Sequence, residues 1–252
     1  MTALVGYVGP TDEAPARATV TLDSPHNRNA LSRQLVAELY DALQRAEDDD
    51  QVKVVVIRAE GRVFCSGADL SEAASKGMEQ AAAVLVDLQR RIVTFPKPVV
   101  TRLHGAVRAG GIGIVAASDI AISAEDATYA FTEVRLALTP AAISLTVLPR
   151  LTDRAAALTF LTGETFDGTR AAAMGLVTTA LPEAELDAAI DGVCANLVKG
   201  HPQGLRETKA LLARDLVARI DEHGADLAKL SARLFGSDEA RSAMLAFLNR
   251  SR

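Results

Sequence analysis

The stretch from Thr101 to Asp119 constrains this chain more than any other. An apolar run, Pro98 to Leu103, leads into a loop of small residues holding Gly105, Ala109, Gly110, Gly111 and Gly113. A second apolar run, Ile114 to Ala117, follows. The pattern reads as strand, glycine turn, helix. Such a turn presents backbone N–H groups with no partner inside the helix, at the positive end of its dipole. Those groups suit an anion, either a bound phosphate or an oxygen that becomes negative during a reaction.

The flanking sequence supplies the elements around that turn. Leu4 to Val8 and Ala18 to Leu22 read as strands, and Ser24 to Asn29 as a turn cluster. Ser32 reads as the N-cap of a helix whose Leu35, Leu39, Ala42, Leu43 and Ala46 recur at helical spacing. Val52 to Ile57 is a β-branched run with the signature of a buried strand. Gly61 to Ser71 is a loop, and Ala81 to Phe95 is a helix that stops before Pro96 and Pro98. Asp119 to Ala124 and Thr128 to Phe131 are further extended pieces. Beyond Ser144 helical patterns dominate, roughly over 153–161, 169–174, 183–199, 202–214, 227–235 and 237–248, with Gly163, Gly175, Gly200 and Gly236 as stops. Strands alternating with helices, then helices alone, predict an α/β fold with a helical C-terminal third.

Composition narrows the partners. A chain of 252 residues, 49% hydrophobic and 23% charged, can bury one large core. Its net charge of −5 argues against nucleic acid. Cys65 and Cys194 stand far apart and form no metal-ligand pattern, so no metal is expected, and a reducing, cytoplasmic setting is the simplest expectation. No basic-then-apolar segment opens the chain, and no apolar run approaches the ~20 residues needed to span a bilayer.

Three segments carry chemistry. Ser66-Gly67-Ala68 and Ala109-Gly110-Gly111 each follow a strand-like run and each is built of small residues. At strand carboxyl ends their N–H groups could converge on one oxygen; equally, both could be tight turns that use glycine for its φ freedom. Glu133 lies between an extended apolar segment and a proline loop. It fits a general base held in apolar surroundings, a helix-N-terminal acid, or an ion-pair partner of Arg135 or Arg150. Asp69 reads as an N-cap and His104 as a hydrogen-bonded structural histidine.

In these segments the chain resembles the crotonase superfamily, the enoyl-CoA hydratase/isomerase family. Phe64-Cys-Ser-Gly-Ala-Asp-Leu70 is similar to the family's first oxyanion loop. Gly105 to Gly113, followed by Ser118-Asp-Ile120, is similar to the second, and Phe131 to Pro140 to the glutamate segment. Leu161-Thr-Gly163, Ala172 through Val177 and Met244 to Phe247 follow in family order. The resemblance implies a crotonase-like ββα spiral core over 1–195 and a helical trimerisation region over 196–252. It implies that Ala68 and Gly110 donate N–H groups to the thioester oxygen of an acyl-CoA, and that Glu133 moves protons at the acyl chain. Arg28, Ala30, Ser66, Asp69, Leu70 and Ser71 would line the CoA channel. Phe247 and Arg250 would reach its adenine end, including that of a neighbouring subunit. Coenzyme A enters as part of the substrate, no separate cofactor is implied, and the assembly would be a homotrimer or a dimer of trimers.

One departure bears on the reaction. Many hydratases of this family carry a second glutamate where this chain has Gly113, and a glycine cannot position water. Ser144 or Thr139 would have to hold a water in its place. Ala137 and Ala141 also replace glycines common in the family. The resemblance thus implies an enoyl-CoA hydratase first, a Δ3-Δ2 enoyl-CoA isomerase using the single glutamate second, and a non-catalytic acyl-CoA-binding member third.

Overall fold

The computed structural model describes residues 2–69, 72 and 78–250, with the backbone alone for residues 78, 79 and 247–250. Two sheets form its frame. The larger holds β1 (Val5–Val8), β2 (Arg17–Leu22), β3 (Val54–Ala59), β5 (Val99–Leu103), β7 (Ile120–Ala124) and β10 (Thr179–Leu181), hydrogen-bonded in that order. The smaller holds β4 (Val63–Cys65), β6 (Ala106–Arg108), β8 (Thr128–Ala130) and β9 (Thr165–Asp167). Among the described residues the β1–β2 and β8–β9 strand pairs are antiparallel and the other strand pairs parallel. Central β3 and β5 are buried along nearly their whole length, the reason they read as continuous β-branched runs.

The chain winds between the sheets. β3, β5 and β7 lie in the larger sheet, and each is followed at once by a short strand of the smaller one, β4, β6 and β8. The glycine turn is therefore not fed directly by the apolar run 98–103, as its sequence suggests. That run is β5, and the chain then crosses at His104-Gly105 into β6. Gly105 adopts φ +68°, and a Cβ there would lie 2.0 Å from the carbonyl oxygen of Arg62. Only glycine fits this crossing. His104 braces it: Nε2 sits 2.8 Å from Gly61 O and Nδ1 3.2 Å from Arg102 Nη1. Since the guanidinium can only donate, Nδ1 accepts and Nε2–H donates to Gly61.

The helices are α1 (Arg33–Asp48), α2 (Met78–Val93), α3 (Gly110–Ala117), α4 (Ala141–Val147), α5 (Asp153–Thr162), α6 (Gly168–Ala173), α7 (Leu186–Leu197), α8 (Pro202–Phe235) and α9 (Asp238–Arg250). Ser32 caps α1 by accepting from Leu35 N at 3.2 Å. Gly163 ends α5 in the left-handed conformation, whereas Gly236 follows α8 at φ −78° and is no left-handed stop. The two helices expected over 202–214 and 227–235 are one. Gly224 continues it because the helix crosses α2 there, and a Cβ would meet Val86 Cγ1 at 2.8 Å.

A buried cation fixes that crossing. Lys209 Nζ donates to Ile92 O (3.1 Å), Lys97 O (3.1 Å) and Asp119 Oδ2 (2.7 Å), and the same carboxylate oxygen accepts from Val99 N (2.7 Å). Lys209 thus closes the C-terminal end of α2 and ties α8 to the start of β5. Among the described residues no helix is long and apolar enough to cross a membrane.

Candidate active site

Parallel pairing brings the three segments to one edge. In the smaller sheet Cys65 pairs with Val107, and Arg108 with Ala130. β4, β6 and β8 therefore end side by side, and segments 66–69, 109–113 and 131–137 leave from the same edge. Ligands of parallel sheets collect at such carboxyl ends.

The first two segments touch. Gly67 has φ +93°, and a Cβ on it would stand 2.6 Å from Ala109 Cβ and 3.3 Å from Gly110 N. Gly111 leans on the other side of the same turn, where a Cβ would lie 2.7 Å from Cys65 Cβ. Ala109, the residue before α3, holds φ +44° and ψ −120°, a conformation that costs an L-residue roughly 1–3 kcal/mol. Among the described residues, neither the Ala68 nor the Gly110 N–H has a hydrogen-bond acceptor. Burial pushes the neighbouring Cys65 thiol up to about 12, so it is no nucleophile at neutral pH.

The turn before α1 clamps the first segment. Ser66 N donates to Arg28 O (3.1 Å) and Leu31 N to Gly67 O (2.8 Å). Asn27 Nδ2 donates to Asp69 Oδ2 (2.7 Å), and Glu72 N to Asp69 Oδ1 (3.2 Å), the capping contact expected of Asp69. Arg28 and Asn29 take positive φ, and Ala30 is buried. Thus Arg28, Ala30, Ser66, Ala68 and Asp69 come together. Leu70 and Ser71 lie outside the described residues, as do the side chains of Phe247 and Arg250, whose backbone closes α9.

One organising residue escapes sequence reasoning. Asn29, fully buried, accepts from Ser24 N (2.7 Å) and donates to Glu60 O (2.9 Å) and Val63 O (2.7 Å). It holds the turn against β4. A lone asparagine in a polar turn carries no local signal of such a role.

Glu133 sits in the first turn of a 3-10 helix, Thr132–Leu136, that leaves β8. α5 and α9 pack against this helix. The residue as a whole is only part-buried, but its Oε2 is buried and without a hydrogen-bond partner among the described residues. Burial pushes its carboxyl up to about 7, opposed by a hydrogen bond from its own backbone. The ion-pair reading of Glu133 fails: Arg135 donates to Thr162 O, and Arg150 to Ala116 O and Ser118 O. Ala137 ends the segment at φ +56°, a left-handed conformation in which a glycine would cost nothing.

The space over Gly113 is occupied. A Cβ there would meet Ile143 Cγ2 at 2.9 Å and Gln89 Oε1 at 3.1 Å. Gln89 is fully buried and satisfied: Nε2 donates to Leu85 O and Ala142 O, both at 3.1 Å, and Oε1 accepts from Thr146 Oγ1 at 2.6 Å. Ser144 donates its hydroxyl to Ala141 O at 2.7 Å, so that proton is not free to direct a water. The arrangement offers two unpartnered N–H groups, one desolvated carboxyl and no second carboxylate at 113. Among the described residues no group of His, Cys, Asp and Glu could hold a metal.

Comparison with known proteins gives these features a context. The family model described as Enoyl-CoA hydratase/isomerase matches residues 14–252. A Bacillus subtilis (strain 168) protein described as a probable enoyl-CoA hydratase is 33% identical over 239 residues, 92% of each chain. A crystal structure of an enoyl-CoA hydratase from Mycobacterium avium is similar at 46% identity and a TM-score of 0.93, covering 99% of this chain and 98% of that one. Another, from Mycobacterium avium subsp. paratuberculosis K-10, reaches a TM-score of 0.85 at 26% identity, covering 99% and 97%.

Proposed function

The chain belongs to the enoyl-CoA hydratase/isomerase family, with the crotonase fold, and from that membership we propose that it hydrates a trans-2-enoyl-CoA thioester. Ala68 and Gly110 N–H groups hold the thioester carbonyl oxygen and stabilise the charge that gathers there as an enolate forms; one such donor typically contributes about 3 kcal/mol. Glu133 is the acid–base group. As carboxylate it takes a proton from water while the water oxygen bonds to C3, and the resulting carboxyl returns a proton to C2. Water is consumed, the 3-hydroxyacyl thioester leaves, and Glu133 ends as it began.

The observation that carries this reading is the placement of three segments at one sheet edge, two with unpartnered N–H groups and the third with a carboxyl whose burial suits it to both halves of a proton transfer near neutral pH. Arg28, Ala30, Ser66 and Asp69, gathered against the first segment, are assigned to the CoA side. Exposed Val134, Leu158, Leu161 and Leu212 support assembly with further copies, as a homotrimer or dimer of trimers, which light scattering would report.

The filled space over Gly113 favours a second reading. With Gln89 and Ile143 where another carboxylate would stand, one glutamate could shuttle a proton from C2 to C4 of a 3-enoyl thioester, needing no water. Incubation with trans-2-enoyl and 3-enoyl thioesters, followed by product analysis, separates the two. Formation of 3-hydroxyacyl-CoA supports hydration, whereas consumption of the 3-enoyl substrate alone replaces it by isomerisation. A member that binds acyl-CoA without turnover would consume neither.

A further inference from the structure

Between α1 and α2 lies a cavity of about 320 Å³ to which the chemistry above gives no role. Polar ties join the two helices beside it. Arg33 Nη2 donates to Gln80 Oε1 (2.8 Å), and further along Arg91 Nη2 donates to Gln44 Oε1 (3.2 Å) and to Glu47. Between the ties the facing walls are apolar, with Val36, Ala37 and Tyr40 from α1 and Ala81, Val84 and Leu88 from α2.

Its inner end meets the candidate active site. Ala68 lines the cavity, as do Leu31 and Leu85. The same two leucines crowd Gly110, where a Cβ would stand 2.8 Å from Leu31 Cδ1 and 3.3 Å from Leu85 Cδ1. The cavity therefore opens beside both N–H groups. At its rim Arg33 gives its backbone N–H to Glu72 Oε2 (2.9 Å) and its guanidinium to Gln80. An apolar wall with a short polar rim selects a hydrocarbon chain, and the volume lies at the small end for ligand pockets. Tyr40, seven residues beyond Arg33, stands about 10 Å further along α1.

Resting on the thioester reading, we infer that this cavity receives the acyl chain and that Tyr40 limits its length. A saturated or unsaturated chain would pass Leu31 and Leu85 and run between the helices until the Tyr40 ring stops it. Tyr40 is a specificity-determining residue in this account and touches no reacting atom.

The test compares kcat/KM for butenoyl-, hexenoyl-, octenoyl- and decenoyl-CoA, with calorimetric binding of the matching saturated acyl-CoAs, in wild type, Tyr40→Ala and Ala37→Phe. Tyr40→Ala should raise the decenoyl-to-butenoyl ratio of kcat/KM by about tenfold or more, and Ala37→Phe should lower it by as much. Ala37 is exposed, so its variant folds independently of any cost at Tyr40. Normal turnover with the same length profile in all three proteins overturns the assignment. Loss of turnover on every thioester, with binding that still shifts with chain length in the variants, refutes the hydratase and isomerase readings and leaves the cavity assignment standing. Acyl-CoA binding with no dependence on length, in wild type and variants alike, refutes the cavity.

Discussion

Gly67 lies so close to Ala109 that a single methyl on Gly67 would stand 2.6 Å from the Ala109 Cβ. The contact joins two segments more than forty residues apart in the chain, and it sets the first loop against the backbone N of Gly110, 3.3 Å from the same position. The strained Ala109 backbone belongs to the same contact, because its φ of +44° turns α3 back toward the first loop.

Glu133→Gln removes the proposed acid–base group and keeps its shape. Turnover should fall by roughly 10²-fold or more with KM little changed, as steady-state kinetics would read. Unchanged turnover would take Glu133 out of the mechanism.

The same carboxyl gives a pH dependence of defined sign. The proposed mechanism needs the ionised form, and the carboxyl is pushed up to about 7, so kcat/KM should fall as pH drops below about 7. Stability runs the other way. A carboxyl raised from 4.5 to about 7 holds its proton better folded than unfolded, so its contribution is complete below pH 4.5 and lost as pH rises through 7. Ionisation costs at most about 3 kcal/mol by that shift. Urea melts of wild type and Glu133→Gln at acid and alkaline pH should converge at the first and separate at the second, with the glutamine variant more stable at high pH.

Gly105→Ala should be among the most damaging single-methyl changes in the chain. Its Cβ would lie 2.0 Å from Arg62 O, at a φ of +68°. A loss of at least ~2 kcal/mol is expected, seen as a lowered urea midpoint or as failure to fold.

Ala109→Gly should relieve the positive φ at the turn into α3. A gain of up to about 1 kcal/mol in urea-melt stability is expected, offset in part by the greater freedom of glycine in the unfolded chain. A clear loss of stability would show that the alanine methyl packs usefully against Gly67.

Gly113→Ala would press a methyl against Ile143 and Gln89, costing about 1–3 kcal/mol. In an Ile143→Ala background the added cost should shrink, a coupling of at least ~0.5 kcal/mol in a double-mutant cycle. Additive costs would mean that the neighbours already yield to the methyl.

Much of the architecture is legible in the chain itself. Val54–Ala59 announces its burial by β-branched residues, Ser32 announces α1 by its capping chemistry, and the glycines around Ala109 announce a turn into a helix, because φ/ψ preference and capping are local properties. The strands β4, β6, β9 and β10, three residues each, are not legible, since periodicity needs more residues than they have and only pairing defines them. Nor is the single helix α8, which runs on through Gly224 where it packs against Val86. The sequence alone determined which residue types could act: two small-residue loops, one carboxylate in an apolar frame and no carboxylate at 113. Tertiary structure alone decided their meeting at one edge, the filling of the space over Gly113 by Gln89, and the proton affinity of Glu133. Desolvation and contact come from segments distant in the chain, and no local pattern records them.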